Sequence, residues 1–447
     1  MIYRRLLNRS VFPSMVLALF LILSSCGSWN AGGSLSQGKG STLPGAGTSS
    51  QNCPQASCST GAGGTTANWV PGVRPLVNTW NNIHPFQNFD FAITDLSATA
   101  KRYDALWGAE WDHLKAYRAS NPDIFLSYYI PFHRDWGTYP GFSTRHDLAY
   151  WKATHPDWVL YKCDRITPAL EFGDPNIALD FSNPAFISWQ IQTYAVPASA
   201  EGYDGLAPDN VNLVNLYGAC GIYKNGQWKQ LYSGQPDDPK WNADVINWLK
   251  VMQQAVHHMK RPLALIPNFY AGHLPLTSPE VQQALKYSDG ILDEEGFTNQ
   301  GREYQTDDNW VQKVHFMEEV QQQNKPFYSI NQFSTVGRDE IQWALASYLM
   351  GKGSSAMVFI TSIQGYGEEH LHDEYKAQIG SPVQPMQQTQ GVYYRSYTHG
   401  MVAVNPSSTQ TSVVNLDGGP YHDLYGNAVG ASITLSPHSG IVLLRNS

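Results

Sequence analysis

The sequence predicts an α/β protein: a (β/α)8 TIM barrel followed by a small C-terminal β-sandwich domain. Three observations carry that expectation. Between residues 69 and 385, short apolar runs alternate with amphipathic stretches in eight units, and β-then-α units in series build a parallel sheet that closes on itself at this length. After Pro385 the helical spacing stops, and short strand-like runs separated by Gly- and Asn-containing turns take over. From Gly27 to about Asn68 the chain is rich in Gly, Ser and Thr and has little to bury.

Taken in order, the chain opens on Arg4, Arg5 and Arg9, then an apolar run from Val11 to Leu23. That run is too short for a comfortable membrane span and reads as a secretory signal. Leu23-Ser24-Ser25-Cys26-Gly27 resembles the lipobox of bacterial lipoproteins. The resemblance implies lipidation at Cys26 and an exported protein held on a membrane by its lipid; ordinary cleavage to a soluble secreted protein is the alternative. The expected domains are therefore a lipoprotein signal peptide over 1–25, a Gly/Ser-rich linker over 26–67, a barrel over 68–385 and a β-sandwich over 386–447. Cys53 and Cys58 fall in the linker. Cys163 and Cys220 fall in the folded part, where an exported protein forms a disulfide if they are close and keeps two thiols if they are not.

The expected barrel strands are residues 89–94, 124–130, 177–181, 203–207, 262–266, 290–293, 327–330 and 356–361. Helices are marked by apolar spacing at Trp111, Leu114 and Tyr117, at Val245, Trp248, Leu249, Met252 and Val256, at Trp310, Val314 and Met317, and at Ile341, Leu345 and Tyr348. Asn183-Pro184 and Ser278-Pro279 read as caps followed by Pro in the first turn. Two stretches, 133–176 and 211–240, break the rhythm, and both follow C-terminal strand ends. The tail strands are expected at 392–397, 401–405, 412–416, 431–435 and 441–444, with turns at Asp417-Gly418-Gly419 and Tyr425-Gly426-Asn427.

Charged residues make up 15% of the chain, against roughly 25% in ordinary soluble domains. There are 14 Trp and 25 Tyr. Few charges and many amphipathic rings suit a protein that handles neutral polyhydroxylated ligands, because aromatic faces stack on sugar C–H groups. A net charge of −8 with no basic stripe argues against nucleic acid. A monomer is expected.

A barrel places its chemistry at the C-terminal ends of its strands. The fourth expected strand runs Asp204-Gly205-Leu206-Ala207-Pro208-Asp209-Asn210, and the sixth Asp289-Gly290-Ile291-Leu292-Asp293-Glu294-Glu295. Aligned on Asp-Gly, Asp209 falls opposite Glu294. Glycoside hydrolysis needs such a pair: one carboxylic acid protonates the leaving oxygen, and the other acts as nucleophile or as base on water. Glu295 competes with Glu294, since strand alternation lets only one point inward; the register favours Glu294. Substrate-binding candidates at other strand ends are Asp95, Tyr129, His133, Trp136, Asn268, Tyr270, Asn331 and Gln332. Asp180 reads as structural. No metal or cofactor is expected: His257 and His258 are adjacent and cannot converge, and Glu368-Glu369-His370-Leu371-His372 lacks the helical spacing of zinc hydrolases. There is no phosphate-binding Gly-rich loop and no Gly-x-Ser-x-Gly elbow.

The runs Tyr203-Asp204-Gly205-Leu206 to Asp209-Asn210-Val211, Leu179-Asp180-Phe181-Ser182-Asn183-Pro184, and Ser288-Asp289-Gly290-Ile291 with Glu294 resemble motifs of the glycosyl-hydrolase-like barrel families, which are similar to endo-α-galactosaminidase-type enzymes. The resemblance extends from about Trp80 through Leu435-Ser436-Pro437-His438-Ser439-Gly440 to the C-terminus. It implies the barrel fold, hydrolysis of glycosidic bonds in an external poly- or oligosaccharide, and an acidic pair at Asp209 and Glu294. Pro208 and the doubled Glu294-Glu295 depart from the family pattern. Two rival readings follow from the same residues: a carbohydrate-binding surface lipoprotein without turnover, and a metal-dependent barrel hydrolase.

Overall fold

A computed structural model describes residues 69–74, 81–137, 145–171, 173, 176–416 and 419–445. The signal peptide, Cys26, the linker with Cys53 and Cys58, and the Asp417-Gly418 turn lie outside the described residues.

The fold is mixed α/β. Its parallel strands are β1 (Gln87–Asn88), β2 (Ala105–Trp107), β3 (Phe125–Pro131), β4 (Gly205–Asp209), β5 (Ala264–Leu265), β6 (Ile291–Asp293), β7 (Phe327–Phe333) and β8 (Ala356–Ser362). β1 to β5 hydrogen-bond in chain order as one sheet, and β6 to β8 as another. Single parallel bridges lie beyond both edges, Asn268 with Leu292 and Pro85 with Val358.

Alternate residues serve two cores, as the period of a strand covered on both faces requires. Ala105, Trp107, Phe125, Ala207, Ala264, Leu292, Tyr328, Met357 and Phe359 share one cluster among the strands. Leu106, Leu126, Leu206, Leu265, Ile291 and Val358 join a larger cluster with the helices. The helix Pro239–His257 buries the expected Val245, Trp248, Leu249, Met252 and Val256. Asn183 and Ser278 cap their helices, each followed by Pro in the first turn.

The strands differ from expectation at two places. Residues 89–94 are not a strand; β1 is Gln87–Asn88, and Phe89 leaves it at φ 56°. Residues 177–181 make only isolated antiparallel bridges, Leu179 with Val159 and Ile177 with Leu170. They are apolar because Ile177, Ala178, Leu179 and Phe181 pack beneath the long excursion. Among the parallel strands, the sequence reading missed β2, three residues too short to show a period.

The two interruptions form one structure. Tyr161–Lys162, Ala219–Lys224 and Gln227–Gln230 pair as an antiparallel sheet, and Cys163 is disulfide-bonded to Cys220. In the C-terminal region a six-stranded antiparallel sheet and the ribbon Ser412–Asn415 with Ser432–Leu435 enclose Val392, Met401, Val414, Ile433, Leu435 and Leu443. Arg395 of that sheet donates from Nη1 to the carbonyls of Leu349, Met350 and Lys352 at 3.2, 3.0 and 2.8 Å. It thereby satisfies the open C-terminus of the helix Arg338–Gly351.

Candidate active site

The repeated Asp-Gly frames have a structural origin. Asp204 Oδ2 accepts the backbone N–H of Leu126 on β3 at 3.0 Å, and Asp289 Oδ2 accepts that of Leu265 on β5 at 2.8 Å. Each lashes the start of its strand to the preceding one. Arg118 and Arg261 close on Asp204, and His257 on Asp289. The glycines are small for contact: a Cβ on Gly290 would lie 2.6 Å from the Pro326 ring. Because both frames begin at the same level, the residue five positions on reaches the same far end of each strand. Those residues are Asp209 and Glu294.

Asn268, just beyond β5 and between β4 and β6, joins them. Its Nδ2 donates to Asp209 Oδ1 at 2.9 Å and to Glu294 Oε2 at 2.8 Å. An amide nitrogen carries two hydrogens, one for each acceptor. The two accepting oxygens therefore lie at most about 5.7 Å apart, the sum of those distances.

Other donors reach both carboxyls. Asp209 Oδ2 accepts from Tyr129 Oη at 2.8 Å and from Asn210 Nδ2 at 2.9 Å. Glu294 Oε1 accepts from Tyr366 Oη at 3.0 Å, and Oε2 also from Gln300 Nε2 at 3.3 Å. Behind Tyr129, buried Arg134 donates from Nη2 to the phenol oxygen at 3.3 Å and from Nε to buried Glu171 at 2.6 Å. Phe89 packs on both phenols, 5.2 Å from Tyr129 and 5.8 Å from Tyr366 between ring centroids.

Burial pushes the Glu294 carboxyl up to about 7, and the nearby Asp209 charge adds to the shift. Burial also raises Asp209; the Asn268 and Tyr129 hydrogen bonds and the Arg134 charge work against that rise. Two such carboxyls in one desolvated place cannot comfortably ionise together. Each carboxyl therefore opposes ionisation of the other.

Glu295 does not join the pair. With Asp293 it ion-pairs Lys313 of the helix Asp307–Gln322, both at 2.8 Å. Of the binding candidates, Tyr129 and Asn268 touch the pair and Trp136 packs on Tyr129 at 4.9 Å. The others do not reach it. Asp95 is exposed and caps the helix Leu96–Arg102. His133 is fully buried, stacked 5.3 Å from Tyr217, and pulled down to about 3 by desolvation. Tyr270 pairs its backbone with Asn212. Asn331 accepts the Phe297 N–H at 3.0 Å. Gln332 lines a separate cavity with Thr298 and Arg302. Asp180 turns back on Ser182, as expected of a structural acid. His370 and His372 bond backbone carbonyls of Gly365 and Ile360.

Sequence reasoning missed Tyr366, Gln300, Glu171 and Tyr217 as members of this network. Each comes from a connection whose length hides its destination. Only the position of the excursions, after strand C-terminal ends, pointed to Glu171 and Tyr217.

Among solved structures, the glycoside hydrolase domain of PelA from Pseudomonas aeruginosa is similar at 16% identity and a TM-score of 0.40, covering 63% of this chain and 95% of that one. Amy13B of Eubacterium rectale is similar at 10% identity and a TM-score of 0.44, covering 84% and 98%. Ega3 of Aspergillus fumigatus, solved with galactosamine, gives 13% and 0.38, covering 68% and 97%. No curated protein matches the chain. The model of hypothetical glycosyl hydrolase family 15 matches residues 118–401. That span holds Tyr129, Asp209, Asn268, Glu294 and Tyr366 and exceeds half of the sequence, so the chain belongs to this family.

Proposed function

We propose that this protein is a retaining glycoside hydrolase, with Asp209 as nucleophile and Glu294 as general acid and base. The observation that carries the reading is Asn268, whose single nitrogen binds both carboxyl groups. It limits the oxygens to about 5.7 Å. Retaining enzymes need roughly 5–5.5 Å between carboxyl groups, and inverting ones need roughly 6.5–9.5 Å to admit a water. The charges around the pair support these roles. Each carboxyl takes three hydrogen bonds, but the Arg134 charge favours the Asp209 anion. Glu294, held up to about 7, keeps a proton to give.

Glu294 gives its proton to the glycosidic oxygen as the bond to the anomeric carbon breaks, and Asp209 attacks that carbon from the opposite face. The alcohol half leaves. Water then attacks the glycosyl ester, passing a proton to the Glu294 carboxylate, and releases Asp209 as the anion. One bond is hydrolysed and both groups return to their starting states.

The eight parallel strands fit a (β/α)8 barrel, supported by the bridges at both sheet edges, and the C-terminal sheet and ribbon fit a sandwich. The lipobox-like Cys26 supports a place on the cell surface, where the substrate would be an external poly- or oligosaccharide. The test is a polysaccharide panel assayed for new reducing ends, with proton NMR of the first products. Retained anomeric configuration is expected. Inversion would return Asp209 to the role of base, and binding of glycans without any cleavage would favour a carbohydrate-binding protein.

A further inference from the structure

A second feature lies on the Glu294 side of the pair. The segment Gly296–Gly301 follows β6 and is bent sharply, with Asn299 at φ 45° and Gln300 at φ 57°. Asn adopts this region readily, but Gln does so rarely, so Gln300 is the residue the surroundings hold there. The bend sets Gln300 against Glu294 at 3.3 Å, while Arg302 Nη2 holds the Gln300 oxygen at 2.9 Å. Beyond Arg302 opens a cavity of about 200 Å3 lined by Thr298, Arg302, Glu303, Tyr304, Gln332 and Thr335 among others. Gln300 stands between Arg302 on its wall and Glu294, and it is the link from the cavity to the pair.

The chemistry of the wall fits one kind of ligand. Arg302 and Gln332 offer N–H donors, and Glu303, Glu340 and the threonine hydroxyls offer acceptors. Tyr304 is braced from behind by His438, stacked at 5.3 Å, and by the edge of Trp343 at 5.2 Å. Alternating donors and acceptors beside a fixed ring suit a neutral, polyhydroxylated six-membered ring. The volume falls below the roughly 300–1,000 Å3 of sites that take larger ligands, so it admits a single ring. A general acid protonates the oxygen of the departing half. A sugar bound on the side of Glu294 therefore belongs to that half.

We propose that this cavity is a sugar subsite for the leaving-group part of the glycan, occupied by one neutral pyranose unit. The assignment of the unit to the leaving group rests on the role given to Glu294 above. The test uses full-length Asp209→Asn protein labelled with 3-fluorotyrosine, its Tyr304 resonance identified through Tyr304→Phe. It is titrated with glucose, galactose and N-acetylglucosamine, and with oligosaccharides released from any polysaccharide the wild type cleaves. A saturable shift of Tyr304 is expected with at least one of these sugars. Thr335→Trp, which fills the cavity from an exposed position, should weaken that binding about 10-fold or more. Gln332→Ala should weaken it too. Absence of a Tyr304 shift with every sugar overturns the subsite, as does a shift that neither variant changes. If Tyr304 responds and both variants weaken it while the wild type cleaves nothing, the subsite stands and the hydrolase reading fails.

Discussion

Glu294 is a half-buried acid whose ionisation desolvation opposes, and this has two measurable consequences. The proposed mechanism needs it protonated, so the rate should fall as pH rises through about 7; it should also fall in acid as Asp209 takes up a proton. Stability follows the same sign. A carboxyl whose folded pKa lies above its unfolded value favours folding in its neutral form, and that advantage is lost as pH rises from the ordinary carboxylate range through about 7. Glu294→Gln has no charge to bury. It should match wild-type stability near pH 5 and exceed it near pH 8, by about 1–3 kcal/mol, while losing about 100-fold or more in rate. Urea unfolding at the two pH values checks this; equal differences at both would show that Glu294 ionises freely. The sequence made this pair legible because the Asp204-Gly205 and Asp289-Gly290 lashes mark the same level on two strands. It could not reveal Tyr366, which reaches Glu294 from 72 residues away.

At the scale of the element, the segment Gly296–Gly301 brings Gln300 to Glu294. Gly296 opens it at φ 50°, and a Cβ there would lie 1.8 Å from the carbonyl oxygen of Ile330 on β7. Gly296→Ala must therefore push β7 and the segment apart. A loss of about 3 kcal/mol or more is expected in unfolding measurements, and wild-type stability in this variant would mean that the turn is loosely held. Strand length decided which elements the sequence disclosed. β3, β7 and β8 are seven residues each and were plain. β2 has three and was not. Residues 177–181 imitate a strand because burial, rather than sheet pairing, makes them apolar.

At the scale of the molecule, the Cys163–Cys220 bond joins two excursions that together supply Arg134, Glu171 and Tyr217 to the rear of the site. It spans 57 residues, and closing a loop of that size constrains the unfolded chain by about 4 kcal/mol in the loop-entropy model. Changing both cysteines to serine should lower stability by about 2–4 kcal/mol; an unchanged unfolding midpoint would show that the excursions hold together without the bond. The overall α/β plan was readable because helix spacing and strand runs alternate along the chain. The meeting of the two excursions was not, since nothing local in either sequence names its partner.

The most direct test of the central claim compares Asp209→Asn, Glu294→Gln and Glu295→Gln for release of reducing ends from a polysaccharide that the wild type cleaves. The site geometry predicts that the first two lose nearly all activity while remaining folded. Glu295→Gln, whose residue serves Lys313 away from the pair, should keep most of it. Full activity in Asp209→Asn or Glu294→Gln, or inactivity confined to Glu295→Gln, would contradict the assignment.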